Sequence, residues 1–75
     1  MVPLKDLGGN LRSVYKMILS EELAPGITAV ATYNGWFVIR GKPDLRQDAL
    51  CDFPVLAGPF PGLIRAWEWW CRQAG

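Results

Sequence analysis

The sequence predicts a small α+β domain in which an antiparallel β-hairpin packs with helices around one core. Two runs rich in β-forming residues, 27–33 and 36–40, flank an Asn-Gly pair, which is the usual sequence signal for a hairpin. Segments 11–23 and 61–73 carry apolar residues at helical spacing. The chain has 75 residues, 51% of them hydrophobic and four of them Trp, which suits one domain with a single apolar core.

The amino-terminal part is predicted to contain one helix behind a short leader. Residues 1–9 hold a Pro and a Gly-Gly pair, and we expect them either to lie along the surface or to be loosely ordered. Asn10 is a suitable N-cap, because its side chain can accept hydrogen bonds from the free amides of a first helical turn. Pro25 and Gly26 are expected to end the helix. The apolar stripe that predicts this helix consists of Leu11, Val14, Tyr15, Ile18 and Leu19.

The hairpin is predicted to turn at Asn34-Gly35 in a type I′ conformation, because both central residues of that turn need a positive φ. This turn would place Tyr33 opposite Trp36 and fix the register of the two strands. One face would carry Thr28, Val30, Thr32, Phe37 and Ile39, and the other Ile27, Ala29, Ala31, Tyr33, Trp36, Val38 and Arg40. Both faces are partly apolar, so either helices cover both or one face is left open for a partner.

A short third strand and a carboxyl-terminal helix complete the predicted fold. Residues 53–57 form an apolar run, and Pro54 makes it an edge strand that Gly58-Pro59 would break. The helix at 61–73 is expected to pack on the sheet through one stripe. That stripe consists of Leu63, Ala66, Trp67, Trp70 and Cys71. Trp69 falls off the stripe, on the side of the helix that carries arginines.

Charge and residue types argue against several classes of function. Eight Lys and Arg oppose seven Asp and Glu, so the net charge is +1 and the basic stripe of a general nucleic-acid binder is missing. The chain has no His, which removes the usual general base and the commonest metal ligand. No Ser, Cys or carboxylate group lies in a recognisable catalytic arrangement. We therefore expect neither enzymatic activity nor a metal or cofactor site.

The cysteines and aspartates have simple structural interpretations. Cys51 and Cys71 either form one disulfide or remain two reduced, mostly buried thiols, and the second interpretation is favoured for a cytoplasmic protein. A cytoplasmic location is expected because the sequence shows no signal-peptide run and no apolar stretch near the ~18 residues that span a bilayer. Asp44, Asp48 and Asp52 recur every four residues and are interpreted as a solvated acidic face rather than a cation site.

Exposed aromatic and arginine side chains are the main functional signal, because Trp, Tyr and Arg are enriched at the energetic centres of protein interfaces. The alternative for each ring is burial in the core, and for Trp67 and Trp70 that alternative is favoured. The candidate partner-binding residues are Tyr33, Trp36 and Arg40 on the hairpin, and Arg65, Trp69 and Arg72 on the carboxyl-terminal helix.

Two segments carry a resemblance to known proteins. Tyr33-Asn-Gly-Trp36, followed by Gly58-Pro59-Phe60 and a Trp-rich helix, resembles small proteins encoded by bacteriophages and prophages. The size, charge and α+β make-up are similar to those of phage anti-defence proteins such as anti-CRISPR proteins. The resemblance implies a stoichiometric inhibitor that docks on a protein or protein complex of the bacterial host cell.

Two alternative functions remain open from the sequence. A hairpin, a third strand and a packed helix also resemble AP2-type and integrase amino-terminal DNA-binding domains, which would use Trp36 and Arg40 on an open sheet face. The nearly neutral charge of the chain disfavours that function. The second alternative is a structural homo-oligomer whose exposed aromatic residues close a symmetric interface.

Overall fold

The computed structural model describes residues 15–74, which form a four-stranded antiparallel sheet and one α-helix. The strands lie in the sheet in chain order, as a meander. The elements are β1 (Leu19–Ala24), β2 (Ile27–Thr32), β3 (Gly35–Arg40), a 3-10 turn (Leu50–Asp52), β4 (Val55–Phe60) and helix α1 (Leu63–Ala74). The predicted α+β class, the hairpin and the carboxyl-terminal helix are confirmed.

The predicted amino-terminal helix is wrong in the part of it that the structure describes. Residues 11–14 of that prediction lie outside the described residues, and 19–24 form strand β1, which pairs antiparallel with β2. Pro25 and Gly26 make the tight connection between the two strands instead of ending a helix. An edge strand needs a partner on one side only, so the exposed residues Ser20, Glu21 and Glu22 are well tolerated there.

The β2–β3 hairpin turns one residue earlier than predicted. Thr32 lies opposite Gly35, so Tyr33 and Asn34 are the two central residues of the turn. Asn34 does not have the positive φ that a type I′ turn requires, whereas Gly35, which follows the turn, has a φ of 119°. The Thr32 hydroxyl accepts a hydrogen bond from the Asn34 amide at 3.1 Å and donates one to the Gly35 carbonyl at 3.0 Å. These side-chain bonds stabilise a turn other than type I′.

The register therefore differs from the predicted one, but both predicted faces of the hairpin keep their β2 and β3 residues. Val30 lies opposite Phe37 and Ala29 opposite Val38, whereas the type I′ turn would have matched Val30 with Ile39. The pairing differs by two positions. Because side chains alternate with a period of two, such a shift moves no strand residue to the other face.

One face of the sheet is covered by the connection between β3 and β4. Val30, Phe37 and Ile39 of this face are buried together with Met17 and Leu50. Carboxylates hold the connection in shape: Asp48 accepts a hydrogen bond from the Asp44 amide, and Asp52 accepts one from the Ala49 amide, both at 2.8 Å. The predicted solvated acidic residues thus also bind the backbone of this covering segment.

Helix α1 covers the other face. It packs on β2, β3 and β4, and its Ala66 is completely buried beside Ile27, Ala29 and Val38. Small residues on both sides, above all Ala29 and Ala66, allow the helix to lie close to the sheet. Both faces of β2 and β3 are therefore covered, but a helix covers only one of them and an irregular segment covers the other, so neither of the two predicted possibilities holds in full.

Strand β4 is an edge strand, as predicted, but it is longer than predicted. It begins at Val55, directly after Pro54, and runs through the cis Gly58–Pro59 peptide to Phe60. Its pairing with β3 is irregular, with register shifts on both sides of Val38. Gly58 does not break the strand because it lies tightly against β3, where a Cβ atom would approach Phe37 Cδ1 to 2.6 Å.

Candidate functional site

The face that helix α1 presents to the core overlaps the predicted one, because Leu63, Ala66 and Trp70 of the predicted stripe pack there, but it is rotated by part of a turn. Trp67, predicted to be buried, is 45% exposed, and Cys71 is exposed as well. Trp69, predicted to be exposed, is half-buried and packs against the core under the helix, together with Trp70. The stripe that packs on the core consists of Leu63, Ala66, Trp69 and Trp70, so it is rotated toward Trp69 and away from Trp67.

The three helix residues of the predicted site do lie together. They line a shallow depression of about 240 Å³, together with aromatic, proline and acidic side chains. We call this depression the basic surface. It is lined by Phe60, Pro61, Arg65, Glu68, Trp69 and Arg72. The Phe60 and Trp69 rings lie 6.2 Å apart between centroids, in a tilted arrangement. Arg65 contacts Glu68 at 3.5 Å in an ion pair that is open to solvent. Trp69 thus lines this surface with its ring while also packing on the core.

The three hairpin residues of the predicted site do not form one surface. Tyr33 lies in the turn and is 81% exposed. Trp36 is half-buried against the core under α1. Arg40 is exposed at the opposite end of β3, about 13 Å from Trp36 at the usual rise of a strand. Trp36 and Arg40 share one face of β3, but only Tyr33 and Arg40 are exposed, and they lie at opposite ends of the strand.

A second surface was missed by the sequence reasoning. On the flank of α1 that faces β1, a groove of about 280 Å³ has apolar walls and an acidic rim; we call it the apolar groove, and it is lined by Glu21, Glu22, Leu23, Leu63, Ile64 and Trp67. Ile64 is 75% exposed, the largest exposed fraction of any large aliphatic side chain in residues 15–74. A signal was present in the sequence, because Ile64, Trp67 and Cys71 follow the three–four spacing of a helical stripe.

Groups with chemical reactivity are dispersed over the described part of the chain. Cys51 and Cys71 are both free and exposed, so the prediction of mostly buried thiols is wrong and no disulfide links them. No group of three His, Cys, Asp or Glu side chains within residues 15–74 is arranged to hold a metal ion. Within the same residues, no helix combines the length and apolar character that crossing a bilayer requires.

Comparison with known proteins adds no family to this description. No protein-family model, no curated protein and no solved structure matches the chain. The two surfaces on the flanks of α1 are therefore the features from which a function must be argued.

Proposed function

We propose that the protein is a non-catalytic protein-binding module whose partner docks in the apolar groove beside α1. The observation that carries the proposal is the exposure of Ile64 and Trp67, at 75% and 45%, on the walls of one concave surface. Large apolar side chains that line a groove, rather than standing singly, are typical of interaction sites. Trp at such a position is the residue type that contributes most to binding when a partner covers it.

The rim of the groove defines the chemistry of the partner. Glu21 and Glu22 are exposed at the edge strand, and among residues 15–74 no basic side chain lines the groove. A complementary segment would place an apolar side chain between Ile64 and Trp67 and a Lys or Arg toward the carboxylate of Glu21, which lies opposite Ala29 and therefore on the face that α1 covers. The resemblance to phage anti-defence proteins favours a bacterial host protein as the source of that segment, bound in a stoichiometric complex that inhibits it.

The basic surface remains a proposed second contact. Arg65, Trp69 and Arg72 lie together at one depression, as an interface requires. Trp69 is partly occupied in core packing, so we assign the binding contribution of this surface mainly to the two arginines. Tyr33 at the hairpin tip is a separate proposed contact because its ring is almost fully exposed.

The DNA-binding alternative is the weaker proposal, because much of the surface that it would use is covered. It required an open hairpin face that presents Trp36 and Arg40. That face is covered by α1, and Trp36 is half-buried beneath the helix. Nothing in the described part of the chain favours this alternative over a protein partner.

An affinity-capture experiment with matched variants tests the proposal. The tagged full chain is incubated with bacterial lysate at submicromolar concentration, alongside Ile64→Lys, which places a charge in the groove. Val55→Lys is the control, because Val55 is 46% exposed on the distant strand β4. A protein retained by the wild type and by Val55→Lys, lost with Ile64→Lys, and binding one to one by calorimetry after purification would support the proposal. Equal retention by all three proteins, or retention by none, would contradict it.

A further inference from the structure

The two flanks of α1 carry opposite charge, and each also carries apolar surface. The apolar groove has Glu21 and Glu22 at its rim, and the basic surface has Arg65 and Arg72 beside Trp69. We propose that the groove of one molecule binds the basic surface of a second copy, so that the protein self-associates head to tail.

The charges that this contact needs are available. Within residues 15–74, neither Glu21 nor Glu22 forms an ion pair, and neither does Arg72. Arg65 is paired with Glu68 at 3.5 Å, but the two side chains are 66% and 43% exposed. An exposed pair of this kind contributes little, so Arg65 can exchange its partner for a carboxylate of another molecule.

The geometry of α1 requires that the contact be between molecules. At about 100° per residue, Arg65 and Arg72 lie within about 20° of each other around the helix axis. Ile64 and Trp67 are centred about a third of a turn away by the same count. Since both surfaces belong to one helix that is packed on the sheet, they cannot meet within a single molecule.

Charge also selects this arrangement over a symmetric one. Two grooves placed face to face would bring like-charged carboxylates together, and two basic surfaces, each with two arginines and Glu68, would bring together two surfaces of net positive charge, so both symmetric contacts are less favourable than one between opposite charges. The head-to-tail contact pairs carboxylates with guanidinium groups. It leaves one free groove and one free basic surface on every pair, so further copies add until a ring closes or a chain forms.

This inference deepens the proposed function, on which it rests, because it names a second copy of the chain as the molecule that occupies the apolar groove when no partner protein is bound. A partner protein would then compete with the second copy for the groove. Each contact surface is small, so we expect weak self-association, in the range of about 10 μM to 1 mM.

Sedimentation velocity of the full chain over that concentration range provides the test. The wild type should show a weight-average sedimentation coefficient that rises with concentration and falls again in high salt. Ile64→Lys, which lacks the groove, and the double variant Arg65→Gln/Arg72→Gln, which lacks the basic surface, should each associate at least tenfold more weakly, as expected for loss of a central contact. Val55→Lys should behave as the wild type.

Mixing the two deficient variants gives the sharpest result. Ile64→Lys keeps its basic surface and the double Gln variant keeps its groove, so an equimolar mixture should form one-to-one dimers and nothing larger. Circular dichroism and urea titration establish that each variant is folded, and Trp67→Ala replaces Ile64→Lys as the groove variant if that protein unfolds.

The inference is overturned if the wild type is monomeric at all concentrations, if both variants associate like the wild type, or if the mixture forms no dimer. A monomeric wild type that still captures a lysate protein through the groove would overturn the inference and leave the proposed function standing. Head-to-tail association without any groove-dependent capture of a lysate protein would support the inference and contradict the proposed function.

Discussion

Replacing Gly58 by Ala should destabilise the protein through two separable effects. Gly58 has a φ of +129°, a conformation that L side chains rarely adopt. A Cβ atom would also lie 2.6 Å from Phe37 Cδ1 and 2.8 Å from the Trp36 carbonyl oxygen. Neither atom can easily move, because Phe37 is a buried core residue and the carbonyl belongs to the backbone of β3.

The magnitude follows from adding the two effects. The unfavourable φ should cost about 1–2 kcal/mol. Overpacking against rigid neighbours should add about 1–3 kcal/mol. A 75-residue domain has a free energy of unfolding of only about 4–11 kcal/mol at the usual value per residue, so the combined loss of about 2–5 kcal/mol is a large part of it.

Two other glycines serve as matched controls. Gly26 has a φ of +78° but no atom within 4 Å of an added Cβ, so Gly26→Ala should show the conformational cost alone. Gly62 also has free space around an added Cβ and no positive φ, so Gly62→Ala should change the free energy of unfolding by less than about 0.5 kcal/mol.

Urea titration followed by Trp fluorescence measures all three variants. With a denaturant slope of about 1 kcal/mol/M, Gly58→Ala should unfold at a midpoint at least about 2 M below that of the wild type, or be unfolded without urea. Gly26→Ala should fall between Gly58→Ala and Gly62→Ala. If Gly58→Ala and Gly26→Ala lost equal stability, the close approach of β4 to β3 would be refuted.

Four further substitutions test the core, the turn and the helix phase. Met17→Ala should lower the free energy of unfolding by about 2–5 kcal/mol in urea titration, because Met17 is 1% exposed in the core beneath the covering segment. Thr32→Val should cost about 1–3 kcal/mol, because the hydroxyl bonds to two backbone groups of the hairpin turn, and a stability equal to that of the wild type would show those bonds to be dispensable. Trp69→Ala should cost at least about 2 kcal/mol and Trp67→Ala less than about 1 kcal/mol, and thermal unfolding with the reverse order would mean that the assigned helix phase is wrong.

The central hairpin could be predicted from the sequence because its signals agree with one another. Alternating β-forming residues on both sides of a turn pair define the strands and both faces. The register could not be predicted, because Asn34-Gly35 suits a type I′ turn while the Thr32 side chain stabilises a different turn one residue earlier. The two competing turns differ by only a few hydrogen bonds, and a residue pattern does not show which of the turns is more stable.

Strand β1 illustrates a conflict between local period and tertiary pairing. Apolar residues upstream of it follow a helical spacing, and the structure places Leu19–Ala24 in a strand nonetheless. An edge strand with exposed polar residues carries little of the alternation that marks a buried strand, so it resembles the polar face of a helix. Pairing with β2 decides the outcome, and pairing depends on residues distant from the pattern.

The basic surface could be predicted from the sequence, whereas the apolar groove could not. The sequence placed Arg65 and Arg72 on one side of a helix, and helix geometry alone is enough for that prediction. The predicted burial phase was shifted by part of a turn, because three Trp within four positions fit two overlapping stripes that share Leu63, Ala66 and Trp70. The structure packs Trp69 on the core and exposes Trp67, and the groove wall supplied by Leu23 depends on a strand that the pattern did not reveal.

The neighbour-to-neighbour order of the four strands has a consequence for how the protein reaches its native state. Each strand pairs with the one that precedes it in the chain, and the first three strands are joined by the short turns 25–26 and 33–34, so only the connection 41–54 has to close a long loop and we expect β1 to β3 to pair rapidly. The helix comes last in that order. A chain ending at Phe60 would contain all four described strands and yet leave Ala29 and Val38 exposed to water. Pairing of the strands therefore does not require α1, whereas burial of this face of the sheet does.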